Sequence, residues 1–128
     1  MAGIERFEDI EAWQGARALV TATYRVTGQG AFATDFGLRD QLRRAAVSIM
    51  SNIAEGFERG SSKDFRHFLV MAKASAAEVR SLLYVALDLG YIDDDTHTEL
   101  SGQATTISRQ VAGFIRYLGS LLAPVARP

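Results

Sequence analysis

The sequence contains no cysteine, which removes disulfides, thiolate nucleophiles and cysteine metal sites and makes a reducing cytoplasm the natural compartment. Proline is almost as scarce: Pro124 and Pro128, both at the C-terminal extreme, are the whole complement, so no residue upstream of them forces a helix to break. Long apolar runs are missing too. The opening stretch MAGIERFEDIEAW mixes acids with its apolar residues, which fits neither a secretory signal nor a membrane span, and no membrane association is expected. Charge of one sign is also lacking. The formal net charge is −1, with a slight basic excess over residues 36–91 and a slight acidic excess elsewhere, a weak polarity.

What is present is enough for one core. A chain of 128 residues with 48% hydrophobic and 23% charged residues is globular rather than disordered, because its apolar surface offsets the entropy of ordering. A domain of this size buries about two thirds of its unfolded surface, so residues 1–128 are read as a single domain. Apolar residues recur at steps of three and four through four segments, the spacing of amphipathic helices. The first follows Phe7, Ile10, Trp13, Ala16, Val20 and Tyr24, and stops at the glycines of GQG. The second follows Leu38, Leu42, Ala45, Ile49, Ile53 or Asn52, and Gly56, with Gly60 as a left-handed cap. The third opens on Ser61 as N-cap with Asp64 three residues on, and runs through Phe65, Phe68, Leu69, Ala72, Ala76, Val79, Leu83 and Ala86 to Gly90. The fourth opens on Asp93 and runs through Leu100, Ile107, Val111, Phe114, Ile115, Leu118 and Leu122, before the prolines. These bounds are roughly 7–27, 37–59, 62–89 and 94–122. No segment alternates with the period of a strand, and no internal repeat accompanies the shared helical period. The short connections make neighbours antiparallel, so the expected fold is all-α, an up-down-up-down four-helix bundle.

The stretch SIMSNIAEGFERG, residues 48–60, interrupts the second helix with polar groups. Ser48, Ser51, Asn52 and Glu55 recur at three- and four-residue steps, with Arg43 and Arg44 one or two turns before. If buried, an unpaired member would cost about 1–3 kcal/mol, so Arg44, Ser48, Ser51, Asn52 and Glu55 are expected to form a mutually bonded structural network. Glu55 would close on Arg59 or on an arginine from elsewhere, such as Arg44 or Arg17. A ligand pocket beside Ser51, Asn52 and Glu55 is the next reading, and catalysis ranks last.

The pieces FEDIEAWQGARALV, LRDQLRRAAVSIMSNIAEGFERGSSKDFRHFL and LDLGYID, in that order and spacing, resemble the bacterial four helix bundle protein family, whose members are encoded in intervening sequences of large-subunit ribosomal RNA genes. The likeness spans roughly residues 6–120. It implies a four-helix bundle, often a homo-oligomeric ring of five subunits, with no established enzymatic activity. It also implies kinship with the accessory variability determinant of diversity-generating retroelements, rings that bind reverse transcriptase and nucleic acid. Those rings are strongly basic, and this chain is not. Met50 stands where relatives commonly carry proline, so the second helix is expected to run straighter.

Enzyme chemistry finds little purchase. Neither His67 nor His97 has a glutamate three residues before it, so the paired Glu-x-x-His ligands of di-iron bundles are missing, and no metal or cofactor is expected. No Gly-x-Ser-x-Gly elbow or phosphate-cradling glycine spacing occurs. Nucleic-acid binding keeps more weight, because Arg66, Lys73 and Arg80 recur at seven-residue steps and form a basic line on the third helix. Arg39, Arg43, Arg44 and Lys63 complete the candidate contacts to RNA or DNA phosphates. The competing reading is a solvated edge, since Asp64, Glu78 and Asp88 share that helix. A wide apolar arc on the third helix through Val70, Met71, Ala74 and Ala77 points to self-association or a protein partner. The leading functional reading is therefore a non-enzymatic oligomeric scaffold or binding module, and the alternative a nucleic-acid-binding ring.

Overall fold

The computed structural model describes residues 3–122. Four helices dominate it: α1 (Glu11–Thr27), α2 (Phe36–Glu58), α3 (Ser62–Asp88) and α4 (Asp94–Leu122), with short 3-10 turns at Phe7–Asp9 and Gly30–Thr34. Among the described residues there is no strand. Each helix packs on its chain neighbours, and α4 returns to α1. Residues that meet across the interfaces rise on one helix as they fall on the other, as in Ser48 with Ser75 and Gly56 with Phe68, or Arg66 with Gly119 and Tyr84 with His97. The helices are therefore antiparallel neighbours in an up-down-up-down bundle.

Local chemistry sets the helix ends. The Asp35 carboxylate accepts the Leu38 N–H at 3.2 Å, Ser61 Oγ accepts the Asp64 N–H at 3.1 Å, and Asp93 Oδ1 accepts the Thr96 N–H at 2.8 Å. Each satisfies a donor that the first helical turn leaves unpaired. Gly60 and Gly90 stop α2 and α3 at φ of +83° and +73°, a left-handed conformation that costs little only without a side chain.

The core follows the expected stripes on α2 and α3. Leu42, Ala45, Ile49, Ile53 and Gly56 are buried on α2, and Phe65, Leu69, Ala72, Ala76, Val79, Leu83 and Ala86 on α3. Phe68 is only half-buried, and on α4 Phe114 and Ile115 are half-buried while Leu122 is 48% exposed. The proline stop expected at Pro124 and Pro128 lies outside the described residues.

The first segment differs from expectation. Its helix begins at Glu11, not Phe7, because Ile10 is extended (φ −78°, ψ 121°) after the 3-10 turn. The buried stripe is Ala12, Ala16, Leu19, Thr23 and Thr27, whereas Tyr24 is 45% exposed and Trp13 and Val20 are half-buried. Apart from Leu19, the side chains that α1 turns to the core are small, and its aromatic residues lie at the edge. There the Trp13 ring meets Phe7 edge-on at 5.2 Å. The glycine-rich link after α1 is not plain loop either. Its 3-10 turn buries Phe32 completely and stacks it on Tyr91 at 5.1 Å. The Tyr91 hydroxyl donates to Asp35 at 2.9 Å, tying the turn before α4 to the N-cap of α2, and that bond pushes the phenol above its ordinary pKa.

Candidate functional site

Only part of the expected polar network comes together. Ser48 Oγ meets Ser75 Oγ at 2.9 Å, and Asn52 Nδ2 donates to the Ser48 carbonyl at 2.8 Å and to Ser48 Oγ at 3.0 Å. This is a cross-brace between α2 and α3. Ser51, Glu55 and Arg44 do not join it, and all three are exposed. At 100° per residue, Ser51 and Glu55 lie about 100° and 60° around the helix from Asn52, both on its outer side. Glu55 instead approaches Arg59 at 3.9 Å, with both side chains more than half exposed. The expected network of five is thus corrected to Ser48, Asn52 and Ser75. Nothing in the spacing of α2 named Ser75, which sits on α3 and is identified only by the pairing of the two helices.

The candidate phosphate contacts divide in the same way. Arg43 donates from Nε to Thr27 Oγ1 at 2.8 Å and from Nη2 to the Tyr24 carbonyl at 3.4 Å, with its guanidinium 4.4 Å from the Tyr24 ring centre. It is a cation at the C-terminal end of α1, where the helix dipole favours one. Arg39 is bound to Asp40 at 2.8 Å and to the Ala33 carbonyl at 3.0 Å, and stacks over Phe36 at 4.7 Å. The same bond holds the Asp40 carboxyl below its ordinary range. Both arginines are half-buried and already engaged within the chain. Arg44, Lys63, Arg66, Lys73 and Arg80 remain exposed and make no ion pair among the described residues.

Arg66, Lys73 and Arg80 form one edge of an exposed α3 face. Val70, Tyr84 and Val85 on that helix are 47%, 58% and 42% exposed, and Ala74, Ala77 and Ser81 between them are exposed as well. The Tyr84 ring lies 4.6 Å from His97, whose Nε2 is 3.4 Å from Ser101 Oγ. His67 is exposed beside Phe68. Among the described residues no group of three or more His, Asp or Glu side chains is gathered for a metal.

The two larger cavities lie away from the polar brace. One, about 450 Å³, is lined by Ile4, Asp9, Ile10, Glu11, Phe114 and Tyr117 among others, and the next, about 470 Å³, by Gly15, Ala18, Gly102, Gln103, Thr106 and Ile107 among others. Glu11 and Gln110 line both. The cavities therefore run in series along the outside of the α1/α4 seam, the loosest junction in the bundle.

No curated protein matches the chain. Its fold is shared with a crystal structure of a protein of unknown function from the S23 ribosomal protein family of Bacteroides thetaiotaomicron VPI-5482, at a TM-score of 0.76 and 20% identity over 82% of this chain and 98% of that one. Residues 8–113 match the family described as 23S rRNA-intervening sequence protein, the same family to which FEDIEAWQGARALV and the long central motif point. With the bundle, the motif order and the matched span in agreement, the chain belongs to the 23S rRNA-intervening sequence protein family.

Proposed function

We propose that the protein is a non-enzymatic, self-associating helical scaffold or binding module, whose outer faces carry its function. The observation behind this reading is the α3 face: Val70, Tyr84 and Val85 are each more than 40% exposed with small residues between them, on a helix whose other side is fully engaged in the core. A contiguous apolar strip of this kind on a soluble surface marks an interaction site. The hydroxyls and amide of the α2/α3 brace bond to one another, which supports a role in fixing helix register. Light scattering across a concentration series tests the reading. The wild-type protein is expected to be larger than a monomer of 14.0 kDa, and a Val70→Lys, Tyr84→Lys variant that remains helical by circular dichroism is expected to be smaller. A wild-type protein that stays monomeric throughout would overturn it.

A nucleic-acid reading has one specific observation in its favour, the unpaired line of Arg66, Lys73 and Arg80. Several copies of such a line in one assembly would add by avidity. Fluorescence anisotropy with mixed RNA and DNA oligonucleotides at low salt is the test. Binding that weakens steeply as salt rises supports it, and no binding at low salt removes it.

A further inference from the structure

The cavity of about 450 Å³ beside the start of α1 has a chemistry unlike that of the α3 face: its charges are acidic and its walls are aromatic. From this we infer that this α1/α4 groove binds a small organic ammonium, a cationic amine carried on a flat apolar body.

Local backbone places the charges. Ile10 is extended (φ −78°, ψ 121°) between the 3-10 turn and α1, and the neighbours on either side of an extended residue point the same way, opposite to it. Ile10 turns into the core, 1% exposed, so Asp9 and Glu11 stand together outside it, and both line the cavity. Neither has a close cation. Among the described residues Asp9 meets Arg6 alone, at 3.8 Å with both side chains at least half exposed, and Glu11 makes no ion pair. Glu11 accepts only a long bond from Gln110, at 3.5 Å. No Lys or Arg lines the cavity. A bound cation would relieve the repulsion between the two carboxylates, whereas an anionic ligand, a nucleotide included, would meet both of them and is disfavoured.

The α4 side supplies the apolar surface. Phe114 and Tyr117 line it, three residues apart on one helix. Phe114 is backed by Phe65 of the core, with ring centres 5.9 Å apart, and Tyr117 is 47% exposed. Aromatic faces attract an ammonium through their quadrupole and also cover an apolar ring. Gly113 leaves room beside them, since a Cβ built there would meet nothing within 4 Å. The volume lies in the range of small-molecule sites, where an apolar lining with a few placed polar groups sets orientation.

Titration calorimetry with tryptamine and tryptophol tests the inference. The two probes share an indole ring and a short arm, and differ in whether that arm ends in an ammonium or a hydroxyl. Wild type is expected to bind tryptamine about tenfold or more tightly than tryptophol. Asp9→Asn with Glu11→Gln, which keeps the shape and removes the charge, is expected to lose that preference. Gly113→Leu, which grows a side chain into the open space, is expected to weaken both probes about tenfold or more. Each variant should keep the wild-type helical spectrum. Equal binding of the two probes by wild type overturns the inference, as does an undiminished preference in the neutralised variant or no tryptamine binding at millimolar concentration. The outcome is separable from the scaffold reading: a monomeric wild type that prefers tryptamine supports the site while that reading fails, and an assembled wild type that binds neither probe overturns the site alone.

Discussion

Gly56 shows how much one side chain matters in this bundle. A methyl group built there would stand 2.5 Å from Phe68 Cβ and 3.2 Å from Phe65, so α2 and α3 pack tightly here through a missing side chain. Gly56→Ala should gain helix propensity yet lose more to overpacking, a net destabilisation of about 1–2 kcal/mol visible as a lower urea midpoint. The brace one turn away makes a second contrast. Asn52→Ala removes two bonds to Ser48 and should cost about 1 kcal/mol, while Ser51→Ala, on the exposed side, should change stability by less than about 0.5 kcal/mol. Equal losses for the two would contradict the assigned network. Ser48 and Asn52 were legible in the sequence as partners because they are four apart. Their true closing residue was not, since Ser75 is 27 residues away from Ser48 and only the rotation of α3 about its axis presents it. Glu55 misled for a related reason: a three-residue step shares a helical face only loosely, and here the small offset carries the carboxylate into solvent.

The later elements, α2 to α4, are bounded by short-range chemistry, which is why their limits could be read so closely, whereas the start of α1 was placed four residues too early. Ser61 with Asp64, Gly60, Gly90 and Asp93 are signals that act within a few residues, and each does what its position suggests. The α1 stripe was harder: Ala16 was read correctly, but hydrophobicity alone also favoured Trp13, Val20 and Tyr24, while packing selected Ala12, Leu19 and two threonines. Thr27 can face inward because its hydroxyl donates to the Thr23 carbonyl at 2.7 Å and accepts from Arg43, a pairing that periodicity does not reveal. The Asp93 cap predicts a pH dependence. Its carboxyl is held below the ordinary aspartate range by the Thr96 N–H bond, so the unfolded chain takes up a proton at higher pH than the folded one. The cap's contribution is then fully present above the unfolded aspartate pKa and is lost as pH falls through the lower, folded value. Thermal melts from neutral to acidic pH should show this, and Asp93→Asn should flatten that part of the profile. Within α4, Gly102 has open space around its Cβ position, so Gly102→Ala should stabilise the monomer by about 0.5–1 kcal/mol, read from its melting temperature under dilute, dissociating conditions.

At the scale of the whole molecule, the four junctions are unequal. The α2/α3 and α3/α4 interfaces are the most extensive, and α1/α4 the least. Backbone amides of α1 should accordingly exchange with solvent faster than those in the middle of α3, as hydrogen-exchange mass spectrometry of the dilute protein can measure. The four-helix architecture was legible because the core signal is repeated over every turn of every helix, so single misassigned residues do not alter the sum. The surfaces were less so: the wide apolar arc of α3 was visible, whereas the groove exists only after two segments at opposite ends of the chain are brought side by side. The three-residue link Arg59, Gly60 and Ser61 has a kinetic meaning of its own. It makes one of the richest interfaces also one that demands little loop closure, so the α2/α3 hairpin is poised to organise early while α1, which must find α4 across most of the sequence, joins late. Mutations at Ile53 or Leu69 should therefore slow refolding, and those at Leu19 should mainly hasten unfolding.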